Sequence, residues 1–330
     1  MQGNQTVDIS RVFAAHQDSL RKVDQYLLGM FQSESVLIQA IGRHIHDSGG
    51  KRIRPLFLLS SATLAGYRGG DAPIVLASVV ESIHTASLLH DDVVDGSELR
   101  RGKPVANSIW GNAPVILVGD YLYSSALRHA VTFKNTKIVD ILASAIAGMT
   151  QGELIQLQKL GDTSISVEDY MTIISAKTGV LISAACRLGA IIAGATEERE
   201  DALGAFGLKT GMAFQMADDI LDYMADETAF GKRLGTDLGE GKITLPLILL
   251  LKAADIGERA EIARIVEEGV GEHGLGRIHE LFGRYNVLDE AFGHARRLVD
   301  EARAALAVFP PSLERDFLYE LSEYALIRGK

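Results

Sequence analysis

Two aspartate clusters of identical spacing carry the clearest chemical signal in this sequence. Both have the pattern D-D-x-x-D, and their carboxylates belong to Asp91, Asp92 and Asp95 and to Asp218, Asp219 and Asp222. On a helix, at about 100° per residue, the first, second and fifth positions fall within an arc of roughly 100°. Three carboxylates near a helix C-terminus repel one another and the helix dipole, so a bound cation is needed to stabilise them. An all-oxygen site suits a hard divalent ion, Mg²⁺ first.

Basic residues accompany both clusters. The segment Gly49–Pro55 places three cations in a turn before a proline that can begin a helix, which makes a cradle for a diphosphate. A second basic run, Arg100–Lys103, follows the first cluster. The second cluster is accompanied by Lys177, Thr178, Gln215, Lys232 and Lys242. Each basic segment alone is compatible with a solvated surface, but their placement beside carboxylates in an acidic protein indicates a polyanionic ligand.

The composition narrows the class of protein. The chain has 330 residues, 47% of them hydrophobic, and a formal net charge of −10, which disfavours a partner made of nucleic acid. Cys186 is the only cysteine, so no intrachain disulfide can form, and a cytoplasmic location is expected. The stretch nearest to a membrane span, residues 179–195, carries Arg187 and many small residues. We interpret it as a buried helix and expect no transmembrane segment.

The elements that must position these residues are helices. Helix-period patterns dominate and no run of alternating residues indicates a strand, so the sequence predicts an all-α fold. The first aspartate cluster follows a predicted helix over 72–90, the second lies at the end of a predicted helix over 198–223, and Lys177-Thr178 ends a predicted helix over 167–178. No linker or low-complexity block divides the chain, so we expect one domain over 1–330.

Five segments, taken in order, identify a family. Residues 49–55 read G-G-K-R-I-R-P, 88–104 contain the first D-D-x-x-D and its basic turn, 177–178 read K-T, 214–222 contain the second D-D-x-x-D, and 241–246 read G-K-I-T-L-P. Together they resemble the trans-polyprenyl diphosphate synthases over roughly residues 48–246. The resemblance implies an all-α bundle of about ten core helices around a central cavity, and a homodimer.

The resemblance also implies a role for each matching residue. Asp91, Asp92 and Asp95 would bind two Mg²⁺ ions, and Asp218, with Asp219 and Asp222 nearby, a third; Mn²⁺ is the alternative metal. The allylic diphosphate would be lined by Arg100, Lys177, Gln215, Lys232 and Lys242. The diphosphate of isopentenyl diphosphate would be held by Lys51, Arg54, His84 and Arg101.

These residue types agree with the reaction of that family. Metal ions and cations neutralise the leaving diphosphate of an allylic substrate, and the double bond of isopentenyl diphosphate attacks the resulting cation head to tail. Lys177, Thr178 and Gln215 are expected to stabilise the cation through dipole and carbonyl contacts. The departed diphosphate serves as the base, so no catalytic triad is required.

Product length is expected to depend on the helix before Asp91. Ser87 and Ala86 lie one helical turn upstream, about 5.4 Å along the axis, which is close to one isoprene unit. Short-chain members of the family have an aromatic floor there, whereas both residues are small here and Ile83 on the next turn does not block. The sequence therefore predicts a long product, near octaprenyl, for a quinone side chain. The alternatives are that the small residues only permit close packing, and that a floor lies near 146–154.

Other readings stay open on the sequence alone. A shorter-chain geranylgeranyl synthase of the same family is one. An HD-type metal phosphohydrolase would combine His90 and Asp91 with His44, His46 or His84, but it leaves the second cluster and both basic turns unexplained. A terpene cyclase would need no second diphosphate cradle. A non-catalytic subunit of a heteromeric synthase would be expected to carry degraded aspartate motifs.

Overall fold

A computed structural model describes residues 9–100, 102–224, 235–269 and 271–327. It confirms the all-α prediction. The helices of the first half are α1 Ser10–Met30, α2 Val36–Asp47, α3 Ile53–Leu64, α4 Ala72–Val94, α5 Ala106–Trp110, α6 Asn112–Val131 and α7 Thr136–Gln158. They are followed by α8 Val167–Ile174, a π-helical turn Ser175–Gly179, α9 Val180–Ile192 and α10 Glu197–Asp222. The remaining helices are α11 Thr236–Gly239, α12 Leu245–Ala253, α13 Ile256–Glu267, α14 Glu272–Tyr285, α15 Val287–Ala305, a 3₁₀ turn Leu306–Val308 and α16 Leu313–Ile327.

The chain divides into two compact units, and each is described by itself. The first consists of Met1–Ile146, Leu181–Gly204 and Leu306–Leu321. Its centre is α4, which packs against α1, α3 and α6. Because α4 is apolar on nearly every side, it is stable only when surrounded by other helices. It thereby brings the first aspartate cluster to the end of a rigid, buried element.

The second unit consists of Ala147–Val180, Ala205–Ala305 and Ser322–Lys330. Its core joins the C-terminal half of α10 to α8, α12, α14 and α15, with Tyr223, Phe282 and Leu247 among its fully buried side chains. Helix α12 follows Thr244, has Pro246 in its first turn, and buries its whole run Leu245–Leu250. The second aspartate cluster therefore also ends a helix that is fixed by a core.

A π-helical turn interrupts the helix that carries Lys177-Thr178. The sequence predicts a helix that stops at Thr178 and a new one from Val180. The chain instead continues without a break, and residues Ser175–Gly179 take the wider π geometry. A π turn inserts an extra residue and rotates the following helical face, and such turns are frequent at functional sites.

Two short strands were not expected. β1, Leu99–Arg100, pairs antiparallel with β2, Lys103–Pro104, so the prediction of no strands is wrong for these four residues. The segment is too short to show an alternating pattern. Lys103 Nζ donates to the backbone oxygen of Asp47 at 2.7 Å, which ties the hairpin to the end of α2.

Three helical segments meet the length and apolarity of a membrane span by composition alone: Ala72–Val94, Thr136–Gln158 and Val167–Ile192. The first and third bury 72% and 67% of their most apolar stretch inside the protein. The second buries only 28%. Burial inside the fold accounts for the apolarity of the first and third, and α7 is the helix whose apolar side is left exposed.

Candidate active site

The first aspartate cluster lies in the last turn of α4. The helix extends past Asp91 and Asp92, four residues further than predicted, and the N–H of its C-cap residue Asp95 donates to the Asp91 oxygen at 2.8 Å. Asp92 is buried, and Arg100 Nε and Nη2 donate to its Oδ1 at 3.0 and 2.9 Å. Asp91 and Asp95 are half-buried. Arg100 thus lies beside the cluster, as predicted, and is paired with its middle carboxylate.

The three cations of the basic turn before α3 lie in different surroundings. Arg52 adopts a left-handed backbone conformation, with φ of 50°, at the N-cap of α3. Its side chain turns inward, where Nε donates to Asp24 Oδ1 at 2.7 Å and Nη1 donates to Glu81 Oε1 at 3.2 Å. Burial disfavours the charged guanidinium, but Glu81 and Asp24 outweigh it and raise the pKa of Arg52. Lys51 is exposed and Arg54 half-buried, so these two remain the candidates for binding an anion.

The residues expected to set product length lie along α4. Ile83 and Ala86 are fully buried, and Ala86 packs in a cluster that includes Leu27 of α1 and Val118 of α6. Ser87 is half-buried, and its hydroxyl donates to the backbone oxygen of His84 at 2.8 Å. His84, a candidate ligand of the second diphosphate, is also half-buried.

The second aspartate cluster ends α10. Asp219 is buried, with 4% of its surface exposed, whereas Asp218 and Asp222 are half-buried. Asp222 Oδ2 accepts the backbone N–H of Asp237 at 3.0 Å, which joins the helix end to the segment after residue 234. The segment 235–241, which the sequence reads only as a glycine-rich loop, therefore contributes directly to the surroundings of the cluster.

Four of the predicted residues meet around one cavity of about 100 Å³ in the second unit. They are Lys177, Gln215, Asp219 and Lys242. The predictions omitted several polar residues that line the same cavity, namely Gln156, Lys159, Tyr170, Asp237 and Thr244. Two carboxylates and three lysine ammonium groups at one small cavity are the charges that a metal–diphosphate ligand would require.

Lys177 is held by α7. Its Nζ lies 2.6 Å from Glu153 Oε2 and donates to Gln156 Oε1 at 2.9 Å. The two elements approach closely because Gly152 has no side chain: a Cβ there would lie 2.8 Å from the backbone nitrogen of Lys177. The hydroxyl of Thr178, next along the π turn, donates to Gln215 Oε1 at 2.7 Å. Sequence reasoning missed Glu153 and Gln156 because no motif marks them; their i, i+3 spacing on α7 is the signal that was present.

The carboxylates near the cavity have perturbed proton affinities. Burial raises the pKa of Asp219 well above its ordinary value, and the neighbouring charge of Asp237 raises it further. Burial and Asp222 raise the pKa of Asp237 to about 6, against the opposing effect of Lys242. Crowded, partly desolvated carboxylates of this kind fit a hard divalent cation as the missing counter-charge. Within the described ranges, no three Asp, Glu, His or Cys side chains form a ready-made metal site.

The histidines do not support a phosphohydrolase site. His90 Nε2 makes a hydrogen bond with the backbone oxygen of Ile116 at 3.0 Å, and His44 Nε2 makes one with the backbone oxygen of Pro104 at 2.9 Å. The Nε2 atoms of both rings are thus engaged by backbone oxygens. Two further predicted residues, Arg101 and Lys232, lie outside the described residues.

Comparison with known proteins gives the family. Residues 35–277 match the family Polyprenyl synthetase. The chain is 38% identical over 308 residues to octaprenyl diphosphate synthase of Escherichia coli strain K12, covering 93% of this chain and 95% of that protein. A polyprenyl synthase from Caulobacter crescentus CB15, solved with calcium and isoprenyl diphosphate, superposes with a TM-score of 0.92 at 39% identity, covering 98% of this chain and 99% of that one. A decaprenyl diphosphate synthase from Rhodobacter capsulatus gives a TM-score of 0.92 at 37% identity, covering 98% and 100%.

The fold, the paired motifs and these comparisons define a prenyltransferase. The chain belongs to the polyprenyl synthetase family, which condenses isopentenyl diphosphate with allylic diphosphates. The sequence-based predictions of family, enzyme class and all-α fold are confirmed.

Proposed function

We propose that this enzyme extends an allylic diphosphate such as farnesyl diphosphate, head to tail, to an all-trans octaprenyl diphosphate used for quinone side chains. The observation that carries the proposal is the cavity where Lys177, Gln215, Asp219 and Lys242 meet, at the second aspartate cluster. Ammonium groups, an amide and carboxylates at one small cavity can hold a diphosphate through its metal ions and its oxygens together.

We propose that both aspartate clusters hold divalent ions, with Mg²⁺ as the metal and three ions in all. Asp91, Asp92 and Asp95 would hold two of them, and Asp218, with Asp219 and Asp222 nearby, the third. The bound ions supply neutralisation of the leaving diphosphate. The partial exposure of Asp91, Asp95, Asp218 and Asp222 supports this assignment, because these residues are not closed off from solvent while their helices are fixed by the core.

The substrate ligands follow from the same arrangement. Arg100, Lys177, Gln215, Lys232 and Lys242 are proposed to bind the allylic diphosphate. Lys51, Arg54, His84 and Arg101 are proposed to bind isopentenyl diphosphate. Arg100 supports the first group because it already contacts the carboxylate of Asp92. The exposed Lys51 supports the second, because Arg52 keeps the turn in place without occupying its outer side.

The reaction then requires little acid–base chemistry from the protein. Lys177 and Arg100 stabilise the charge that develops on the leaving diphosphate. The side-chain dipoles of Thr178 and Gln215, which are joined by a hydrogen bond of 2.7 Å, are fixed in orientation and stabilise the allylic cation. The released diphosphate accepts the proton lost from the new cation.

Product length is proposed to depend on Ile83, Ala86 and Ser87. The small side chains of Ala86 and Ser87 support a long product, since an aromatic residue one turn before the aspartates would shorten the space available. The test is the product profile of A86F and S87F, and we expect both to shorten the main product by several isoprene units. Because Ala86 is fully buried, the melting temperature of each variant must be measured as a control. Folded variants with an unchanged product would exclude this floor, and a wild-type product of four isoprene units would support the geranylgeranyl alternative.

We further propose that the whole chain, 1–330, works as one soluble cytoplasmic domain and as a homodimer. The homodimer is supported by α7, which leaves Leu154 and Leu157 exposed by 55% and 41% beside the small residues Ala143 and Ala147. Small and apolar residues on one helical face allow close packing against a second copy. Light scattering on the purified chain measures the mass directly, and a monomer at micromolar concentration would contradict this part of the proposal.

A further inference from the structure

Tyr170 of α8 is a buried residue that no part of the proposed reaction uses. It is 3% exposed, and its hydroxyl donates to Asp219 Oδ2 at 2.6 Å. Asp219 belongs to the second aspartate cluster, yet it is itself only 4% exposed. A tyrosine in an apolar core needs a partner for its hydroxyl, and here that partner is a carboxylate of the site.

The hydrogen bonds near Asp219 form one chain in which each donor points toward this carboxylate. Gln215 Nε2 donates to Asp219 Oδ1 at 2.8 Å. An ionised carboxylate only accepts hydrogen bonds, and accordingly the amide N–H₂ of Gln215 faces Asp219 and its carbonyl faces Thr178. Thr178 accordingly donates to that carbonyl at 2.7 Å. The orientation of Gln215 and Thr178 is therefore determined by Asp219, and the orientation of Asp219 is determined by Tyr170.

The middle aspartate differs from its two neighbours in this respect. Both oxygens of Asp219 accept hydrogen bonds from protein side chains and the residue is buried, whereas Asp218 and Asp222 are half-buried. Residues four apart on a helix lie on nearly the same face, while the residue after the first is turned by about 100°. The helix geometry and the hydrogen bonds thus assign Asp219 to the interior.

We propose that Tyr170 is a positioning residue of this site, whose hydroxyl holds Asp219 so that Gln215 and Thr178 face the substrate and Asp218 and Asp222 face the metal. This inference rests on the proposed function of the second aspartate cluster. Without the hydroxyl, one buried carboxylate oxygen has no donor, so Asp219 turns to find another and Gln215 loses its fixed orientation.

A second buried tyrosine provides a matched control. Tyr223 is 1% exposed and lies in the same core, but its hydroxyl only accepts a bond of 3.5 Å from Thr244 Oγ1. Y170F and Y223F remove the same atom from equally buried rings. A purely structural role for the Tyr170 hydroxyl predicts similar behaviour of the two variants, whereas a positioning role separates them.

The experiment measures Mn²⁺ binding by electron paramagnetic resonance in the presence of inorganic diphosphate, for the wild-type chain, Y170F and Y223F. Melting temperatures without metal and the steady-state constants for farnesyl diphosphate accompany it. We expect Y170F to weaken Mn²⁺ binding about tenfold and to lower kcat by a similar factor, and Y223F to leave both within about twofold of wild type. Equal Mn²⁺ affinity in Y170F and wild type would overturn the inference.

The outcomes separate this inference from the proposed function. A wild-type chain that binds no Mn²⁺ with diphosphate and forms no prenyl product contradicts the proposed function itself. An active wild type with an unaltered Y170F contradicts only the role of Tyr170. If Y170F does not fold, Q215M replaces it, because this variant removes the other protein donor to the buried Asp219 carboxylate. The inference then predicts weaker Mn²⁺ binding in Q215M, and unchanged binding overturns it.

Discussion

The close approach of α7 to the π turn allows a sharp test of how packing supports the site. In G152A, the new Cβ would lie 2.8 Å from the backbone nitrogen of Lys177 and 2.9 Å from Ala176 Cβ. Backbone atoms cannot rotate out of the way, so α7 and the π turn must separate by roughly half an ångström to restore ordinary contacts. The π turn carries both Lys177 and Thr178, so the movement reaches the cavity.

The expected magnitude follows from two opposing effects. Replacing glycine by alanine within a helix stabilises it by about 1 kcal/mol. Overpacking a close contact costs about 1–3 kcal/mol, so we expect G152A to lower the free energy of unfolding by up to ~2 kcal/mol. Displacement of Lys177 from Glu153 and of Thr178 from Gln215 should also lower kcat/KM by about tenfold to a hundredfold, as small misplacements of catalytic groups do.

A matched control lies one turn earlier on the same helix. In G148A, the new Cβ would meet only the methyl groups of Val180, at 3.7 and 3.8 Å, which is ordinary contact. We expect this variant to be as stable as wild type or up to about 1 kcal/mol more stable, with unchanged kinetics. The assay is thermal denaturation together with kcat/KM for farnesyl and isopentenyl diphosphates. If G152A matches G148A in both, the reasoning about the π turn is refuted.

Further predictions concern buried charges and titrating groups. R52A leaves the carboxylate of Glu81 buried without its partner and should lower the free energy of unfolding by ~3 kcal/mol. The loss should be smaller when E81Q is added, and denaturant titrations of the single and double variants test this. E153Q removes the ion pair that holds Lys177 and should lower kcat/KM about tenfold with little change in melting temperature. Burial lowers the pKa of His16 to about 4. Between pH 6.5 and 4 its imidazole is therefore protonated in the unfolded chain but neutral in the folded one. The free energy of unfolding should therefore fall by up to ~3 kcal/mol as pH falls through that window, and H16Q should lose this slope; melting temperatures at neutral pH and near pH 4 decide it.

The helices were predictable because their apolar patterns are long. The predicted helix over 72–90 begins at Ala72 as observed, and α10 matches its prediction within a residue at each end. The end of α4 at Val94 was missed because a run of aspartates gives no stop signal of its own, and the helix continues through them. Local features decided by tertiary packing were less predictable, namely the π turn and the hairpin 99–104.

The site was predictable where a residue belongs to a motif and not where its role depends on contact. Lys177, Gln215, Asp219 and Lys242 meet at one cavity, as the motifs indicate. Tyr170 and Glu153 carry no signal in a single sequence, because a tyrosine on an apolar face reads as core and a glutamate on a helix reads as surface. Only the packing of α8 and α7 shows that each one holds a residue of the site.

The sequence likewise does not indicate that the side chain of Arg52 points into the protein. The G-G-K-R-I-R-P motif presents three cations that look alike, and nothing in it marks Arg52 as the one with a left-handed backbone and an ion pair to Asp24. The partners Asp24 and Glu81 lie 28 and 29 residues away along the chain, on different helices. A pairing at such separation has no local pattern.

We propose that this single chain joins isoprene units by metal-dependent head-to-tail condensation and stops near eight of them. The purified chain can be incubated with farnesyl diphosphate, radiolabelled isopentenyl diphosphate and Mg²⁺, with a chelated sample alongside, and the products separated by chromatography. We expect a ladder of products that ends near octaprenyl diphosphate and vanishes when the metal is removed. Release of phosphate without carbon–carbon bond formation, or a ladder that persists in the chelated sample, would contradict it.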